Sequence, residues 1–127
     1  MPTPNKTFRF GPVAVANAAA NLLNGAVTSL AGPVGLTLTQ PVIYIKHMRA
    51  VNKTGTAATV STYIGATGGS AAGTEFMWNA TSIAANSSID FYPGGAGVRL
   101  ESTDFLTGAA SAAATITIEG ECEVGFL

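Results

Sequence analysis

The last fifteen residues alternate between apolar and polar side chains almost without a break, and this pattern constrains the fold most strongly. The apolar positions share one parity and the polar positions the other; the apolar set is Ile116, Ile118, Cys122, Val124 and Phe126, and the polar set is Thr115, Thr117, Glu119, Glu121 and Glu123. Successive side chains of a β-strand point to opposite faces, so residues 113–127 are predicted to form a strand with one buried face. Gly120 leaves a gap on that face, where we expect a neighbouring ring to cross or the strand to bend.

A single strand cannot bury its own apolar face, so it needs a sheet and a second layer to cover it. The chain has 127 residues, which is enough for one domain with one core. Short apolar segments recur between Gly, Pro, Asn and Ser clusters at intervals of roughly eight to twelve residues. The sequence therefore predicts an all-β fold, an antiparallel β-sandwich of jelly-roll type. We expect one domain over residues 13–127.

Residues 1–12 contain two early prolines and two basic side chains, a composition typical of an extended arm. We expect this arm to be loose or to lie across a neighbouring subunit. Phe8 and Phe10 are two residues apart and would share a face if the arm pairs as a strand. The candidate contact residues in the arm are Lys6, Phe8, Arg9 and Phe10.

The middle of the chain contains two strand-like segments separated by a turn. Pro41 precedes the first, residues 42–52, which begins with apolar residues on both faces and is therefore predicted to be central in its sheet. Residues 53–56 form a turn and residues 57–65 a return strand, so we predict a β-hairpin. Residues 24–40 are predicted to be a long loop, and residues 74–79 a further short strand.

Charged residues make up only 10% of the chain, against roughly 25% in an average soluble domain, whereas 47% are hydrophobic. We expect Thr, Ser, Asn, Gly and Ala to cover the surface, or part of the surface to be buried against other subunits, and we favour burial. The net charge is −1 and the pI about 5.6, which argues against a nucleic-acid partner.

The chain begins without an apolar run behind a basic segment, so we expect no secretory signal and synthesis in a host cytoplasm. Residues 13–38 are apolar on average but are interrupted by asparagines, a proline and glycines, so we expect no membrane span. Cys122 is the one cysteine in the sequence, and its parity predicts a buried, inert thiol.

Three segments resemble small β-sandwich virion proteins of tailed bacteriophages, which serve as head decoration (cement) proteins or as small tail and fibre components. The segments are KHMRAVNKTGTAATVSTYIGATGGSAAGTEF, SIAANSSIDFY and LESTDFLTGAASAAATITIEGECEVGF, and the resemblance extends over roughly residues 42–127. It implies that the protein resides in the virion and binds the major capsid protein or another virion protein. It also implies a homo-oligomer such as a trimer, because decoration proteins often occupy symmetry axes. The resemblance implies no site residues.

The row Glu119, Glu121 and Glu123 allows three interpretations. It can be a solvated outer face that discourages incorrect strand pairing, or an acidic strip that docks on a basic neighbouring subunit. It can also be a Ca²⁺ site, although one strand face does not supply the roughly six to eight oxygens that calcium takes. Lys46 and Arg49 lie either at a sheet rim or against acidic groups of a partner. All five residues are candidate interface residues.

His47 is the one histidine in the sequence, so no histidine cluster is available for zinc. A serine nucleophile with His47 as base and Asp90 or Asp104 as orienting group is not supported by spacing, and no Gly-x-Ser-x-Gly segment occurs. We therefore expect no enzyme activity, no catalytic residues, no cofactor and no metal.

Aromatic side chains are more often core or interface residues than a sugar-stacking platform. Trp78, Tyr44, Tyr63 and Tyr92 nevertheless leave carbohydrate binding open. We predict a capsid decoration protein that binds across capsid subunits. The alternative is a tail or fibre module that binds a host glycan or another virion protein.

Overall fold

The computed structural model describes residues 6–23, 41–65, 69–70, 72–95, 97–101 and 104–126. These residues form nine β-strands and no helix. The strands are β1 (Lys6–Ala14), β2 (Ala20–Asn21), β3 (Pro41–Asn52), β4 (Ala58–Gly65), β5 (Thr81–Ile83), β6 (Ser87–Phe91), β7 (Val98–Leu100), β8 (Phe105–Ala110) and β9 (Ile116–Phe126).

The strands form two antiparallel sheets. The first has the order β1-β9-β3-β6, with β7 pairing to β3 further along the same edge as β6, and the second has the order β2-β8-β4-β5. Chain neighbours such as β1 and β2, or β8 and β9, lie in different sheets, so the chain crosses repeatedly from one layer to the other. With β6 and β7 taken as one interrupted strand, this is the eight-strand order of a jelly roll, and the predicted sandwich is confirmed.

Strand β9 lies between β1 and β3 and buries its apolar face, as its alternation predicted. Ile116, Ile118, Cys122 and Val124 are all buried between the sheets. A Cβ at Gly120 would lie 2.6 Å from the ring of Phe10 on β1 and against the carbonyl oxygen of His47 on β3. The predicted crossing of a ring over Gly120 is therefore confirmed, and the ring belongs to Phe10.

Strand β3 is central, as predicted, but its alternation is broken by a bulge. Its register to β9 shifts between Ile45 and His47, leaving Lys46 as an extra residue. Ile43 and Ile45 before the bulge therefore point to the same buried side as Met48 after it. Strict alternation along the sequence would put Met48 and Ile43 on opposite faces; the extra residue reverses the parity of all residues that follow it.

The predicted hairpin of residues 42–52 and 57–65 is also wrong. Both strands exist, but β3 belongs to the first sheet and β4 to the second. Asn52 is the last residue of β3, and its buried side chain forms hydrogen bonds with backbone groups of the following turn and of β5. Its Nδ2 donates to the carbonyl oxygens of Thr56 and Ile83, 2.8 and 3.0 Å away, and its Oδ1 accepts from the Thr54 amide at 3.0 Å. This network lies where the chain leaves the first sheet and enters the second.

The N-terminal segment is partly described. Residues 6–12 belong to β1, which continues through Ala14 and pairs with β9, so this part of the predicted arm is an edge strand. An arm over residues 1–5 stays a prediction, since those residues, like the predicted loop 24–40, lie outside the described part of the chain. Residues 74–79 form one isolated bridge, Glu75 to Tyr63, instead of the predicted strand.

Candidate functional site

The two sheets differ sharply in charge. The strands of the first sheet contain five of the six Lys and Arg residues, His47, and four of the seven Asp and Glu residues. The strands of the second sheet contain no Asp, Glu, Lys, Arg or His. We call the outward side of the first sheet the charged face; it includes Arg9, His47, Arg49, Asp90, Glu119, Glu121 and Glu123. We call the outward side of the second sheet the charge-free face because its strands contribute no charged residue; it includes Thr59, Ser61, Tyr63, Ser82 and Ala109, and Glu75, bridged to Tyr63, lies at its edge.

The acidic row of β9 has basic neighbours within the same sheet. Glu121 is paired in register with Arg9 on β1 and with His47 on β3, and Glu119 is paired with Arg49 on β3. Opposite charges that face each other across strands stabilise a sheet by roughly 0.2–1 kcal/mol per pair. The row therefore has charge complements in its own chain, and its docking on a basic partner stays a prediction.

A compact cluster of polar and aromatic side chains lies where β6 pairs with β3. Asp90 Oδ1 accepts a hydrogen bond from Arg49 Nε at 2.7 Å and lies 3.1 Å from His47 Nε2. The hydrogen bond from Arg49, followed by the one from His47, holds the pKa of Asp90 below its ordinary value, and the same carboxylate raises the pKa of Arg49. The Tyr92 ring stacks on the His47 ring with centroids 4.4 Å apart and an interplanar angle of 19°.

The structure separates the four aromatic side chains considered for sugar stacking. Trp78 is only 3% exposed and belongs to the core, so it cannot form a surface platform. Tyr44 and Tyr63 are partly exposed. Tyr92 is 66% exposed and is one of two large hydrophobic side chains that stand open to solvent in the described part of the chain, the other being Met77.

The candidate interface residues are not all on the surface. The charged face carries five of them: Arg9, Arg49, Glu119, Glu121 and Glu123. Lys46 lies in the β3 bulge, where its Nζ donates to the carbonyl oxygen of Gly95 at 3.2 Å. Phe8 packs against the core, and the side chain of Lys6 is outside the described residues.

Phe10 requires a correction. It is 5% exposed and covers Gly120, so it is a core residue of its own chain and is not available to contact another subunit. Phe8 and Phe10 do share one face of β1, as expected if the arm pairs as a strand, but this face packs on the core.

Sequence reasoning considered Asp90 only as an orienting group in a catalytic arrangement and Tyr92 only as a sugar-stacking residue, and it did not group the two with His47 and Arg49. Asp90 has the opposite parity to Ile89 and Phe91, which does predict an outward carboxylate. Its partner was not predictable, because the pairing of β6 with β3 brings together residues 41 and 43 positions apart.

His47 and Asp90 are adjacent, which an acid–base site would also require. Within the described residues, however, the hydrogen bond of His47 is to Asp90, and Arg49 shares the same carboxylate oxygen. No serine or threonine hydroxyl in that part of the chain bonds to His47. Among the described residues, no three His, Cys, Asp or Glu side chains are grouped to hold a metal ion.

Cys122 is buried in β9, and burial raises the pKa of its thiol to about 12. The burial of Cys122 confirms the prediction from its parity, and we expect a protonated, enclosed thiol to be inert. Within the ranges that the structure describes, no helix is long and apolar enough to cross a membrane.

No protein-family model and no curated protein sequence matches this chain. Among solved structures, a chain of the virus-like particle of the giant freshwater prawn (Macrobrachium rosenbergii) extra small virus matches with a TM-score of 0.54 and 12% identity, over 98% of this chain and 79% of that chain. Disulfide-linked pili of Bacillus endospore appendages match with a TM-score of 0.45 and 17% identity, over 98% and 86%. Desmodium yellow mottle tymovirus matches with a TM-score of 0.37 and 11% identity, over 99% and 89%.

The first of these three likenesses exceeds a TM-score of 0.5, and at 12% identity it shows a shared fold. The strand order and this likeness together define the class of the chain as a two-sheet jelly-roll sandwich.

Proposed function

We propose that this chain is a non-enzymatic virion structural protein. The observation that carries the proposal is the jelly-roll order of its strands, together with a likeness in fold, at a TM-score of 0.54 over 98% of the chain, to a chain of a virus-like particle. Jelly rolls are a recurrent architecture of viral capsid domains, and a rigid sandwich with short connections is suited to packing between neighbours. The same fold also serves lectins and cupins, so this step rests partly on analogy of fold.

Within this class, we propose a decoration protein that binds across capsid subunits of a tailed bacteriophage, as a homo-oligomer such as a trimer. The distribution of charge supports such a contact. Removing charged groups from water is costly, and the strands of the second sheet contain none. Apart from Glu75, which is bridged to Tyr63 at its edge, the charge-free face can therefore be buried against a capsid at low electrostatic cost. A bound protein that spans several subunits stabilises the shell by mass action.

The alternative, a tail or fibre module that binds a host glycan, is favoured by one specific observation. Tyr92 is highly exposed, and its ring is held in place by stacking on His47. A decoration protein does not require such a feature.

Light scattering of the purified protein, alone and with undecorated virion shells, tests the proposal. We expect a stable small oligomer that sediments with the shells and raises the temperature at which they disassemble. If the protein alone formed closed particles, it would be a shell subunit and not a decoration protein. The broader proposal of a virion structural protein would still hold. A monomer that forms no particles and does not bind head shells, tails or fibres would overturn the virion proposal.

A further inference from the structure

Tyr92 presents one ring face to solvent in a fixed orientation. It follows β6 directly, and its other face is stacked on His47 at a centroid distance of 4.4 Å. His47 is in turn fixed by its contact of 3.1 Å with Asp90. A ligand that stacks on this ring would therefore lose little affinity to the ordering of side chains, because the ring is already ordered.

Hydrogen-bonding groups with spare capacity lie beside the ring. A carboxylate has about four acceptor positions, and the hydrogen bonds of Asp90 to Arg49 and His47 both involve Oδ1. A guanidinium has five N–H donors, and the bond from Arg49 to Asp90 uses Nε. Tyr92 stacks on His47, and His47 and Arg49 both contact Oδ1 of Asp90. An acceptor, a donor and an aromatic surface thus lie together.

The surrounding charges determine which class of ligand fits. The charge of Arg49 is already balanced by Asp90, and the next strand places Glu119 opposite Arg49 and Glu121 opposite His47. An anion such as a nucleotide phosphate would be repelled by these carboxylates. A ligand that suits the site is neutral, has one apolar ring face to stack on Tyr92, and carries hydroxyls at its rim.

We propose that Tyr92, Arg49 and Asp90 form a binding site for a neutral pyranose sugar. The axial C–H groups of the sugar pack on the open face of Tyr92, and its hydroxyls donate to Asp90 and accept from Arg49. The site is on the charged face, opposite the surface proposed to contact a capsid, so sugar binding does not depend on the virion position of the protein.

The experiment is a titration of the full chain, labelled with ¹⁵N, with methyl β-D-glucopyranoside, methyl β-D-galactopyranoside and N-acetylglucosamine. We expect saturable chemical-shift changes in the millimolar range, concentrated around Arg49, Asp90 and Tyr92, with at least one of the three sugars. Tyr92→Ala should weaken binding by about tenfold or more, since it removes the stacking surface. Tyr92→Phe should retain most of the affinity, and Asp90→Asn should reduce it.

Met77→Ala is the matched control, because it removes the other exposed large side chain and should leave the affinity unchanged. Urea denaturation of each variant verifies that it is folded. The proposal is overturned if no sugar gives a saturable change, if Tyr92→Ala binds as well as the original chain, or if glucuronate binds more tightly than the neutral sugars. If Tyr92→Ala no longer bound capsids and the original chain bound no sugar, Tyr92 would be a protein contact. That outcome would also overturn the proposed sugar site. If no variant bound capsids but sugar binding was intact, the proposed decoration function would fail and the proposed sugar site would stand.

Discussion

At Gly120, three strands approach so closely that no side chain fits. A Cβ there would meet the ring of Phe10 from β1 and the carbonyl oxygen of His47 from β3. The missing side chain allows Phe10 to lie across β9 and close the core beneath the first sheet. One glycine thus leaves the room that the Phe10 ring and the His47 carbonyl oxygen occupy beside β9.

Gly120→Ala should lower the free energy of unfolding by about 1–3 kcal/mol, because the added methyl group overpacks a site bounded partly by rigid backbone. Urea denaturation measures the change. Gly55→Ala is the matched control: no atom lies within 4 Å of its Cβ position, and we expect a change within about 0.5 kcal/mol. Equal effects of the two substitutions would show that the Phe10 contact is not tight.

Between elements, Asn52 connects the two sheets. Its Nδ2 bonds to the carbonyl oxygens of Ile83 and Ala84 at the end of β5, 3.0 and 3.3 Å away, while its own backbone belongs to β3. Its Oδ1 also accepts from the Thr54 hydroxyl at 2.7 Å. A single buried amide thereby joins the end of β3, the turn after it and a strand of the opposite sheet.

Asn52→Ala should lower the free energy of unfolding by about 3 kcal/mol, because several buried polar groups lose their partner at once. Thermal and urea denaturation would report the loss. Asn79→Ala removes an exposed amide and should change stability by less than about 0.5 kcal/mol. If both variants were equally stable, the stability of the connection from β3 to the opposite sheet would not depend on the Asn52 network.

The contact between β3 and β6 should make stability depend on pH. The pKa of Asp90 is lower in the folded chain than its ordinary value of 3.8, chiefly because Arg49 donates a hydrogen bond to it. A depressed carboxyl pKa stabilises the fold above the unfolded-state pKa, and this contribution disappears as the pH falls through the folded-state value. The difference in urea midpoint between the original chain and Asp90→Asn should therefore be constant near neutrality and shrink below about pH 4.

A double-mutant cycle with Arg49→Ala isolates this pair, because Asp90→Asn should have a smaller effect once Arg49 is absent. A difference that stayed the same down to pH 2.5, on the order of a full unit below the ordinary carboxyl pKa, would contradict the proposed cause.

At the scale of the whole molecule, the two sheets differ in the charge of their outward faces. The charged face carries cross-strand pairs and the Tyr92 cluster, whereas the charge-free face offers Thr, Ser, Ala and Tyr side chains. An isolated sandwich in water gains little from leaving one whole sheet without charges. This division supports the proposed contact of the charge-free face with a capsid.

Thr59→Lys places one positive charge on the charge-free face and should weaken capsid binding by about tenfold or more, since that charge must be desolvated in the contact. Thr7→Lys is the matched control, because it makes the same change on the charged face, in register with Glu123. Sedimentation with shells at low and high salt measures both. A stronger effect of Thr7→Lys would point to the charged face, in agreement with the interface residues proposed from the sequence.

Local patterns predicted much of this architecture. Alternation located β9 and its buried face, Pro41 marked the start of β3, and the glycine in β9 predicted a crossing ring. The candidate site was only half predicted: Arg49, Asp90 and Tyr92 were each considered for separate roles, but their grouping around His47 was not predicted. Trp78, considered as a platform, is buried, and Phe10, considered as a contact, is in the core.

The sequence by itself determined the class of fold, because the two-residue period of a strand depends only on the backbone and is visible in any stretch that is buried on one side. Strand partners were decided by tertiary structure, because pairing joins residues far apart in the chain and no local pattern records the choice. An unpaired bulge residue such as Lys46 changes which side chains face inward, and a buried amide such as Asn52 sends the chain to the opposite sheet. The cluster of Tyr92, His47, Arg49 and Asp90 exists for the same reason: β6 pairs with β3, and that pairing follows from how the two layers close over a shared core.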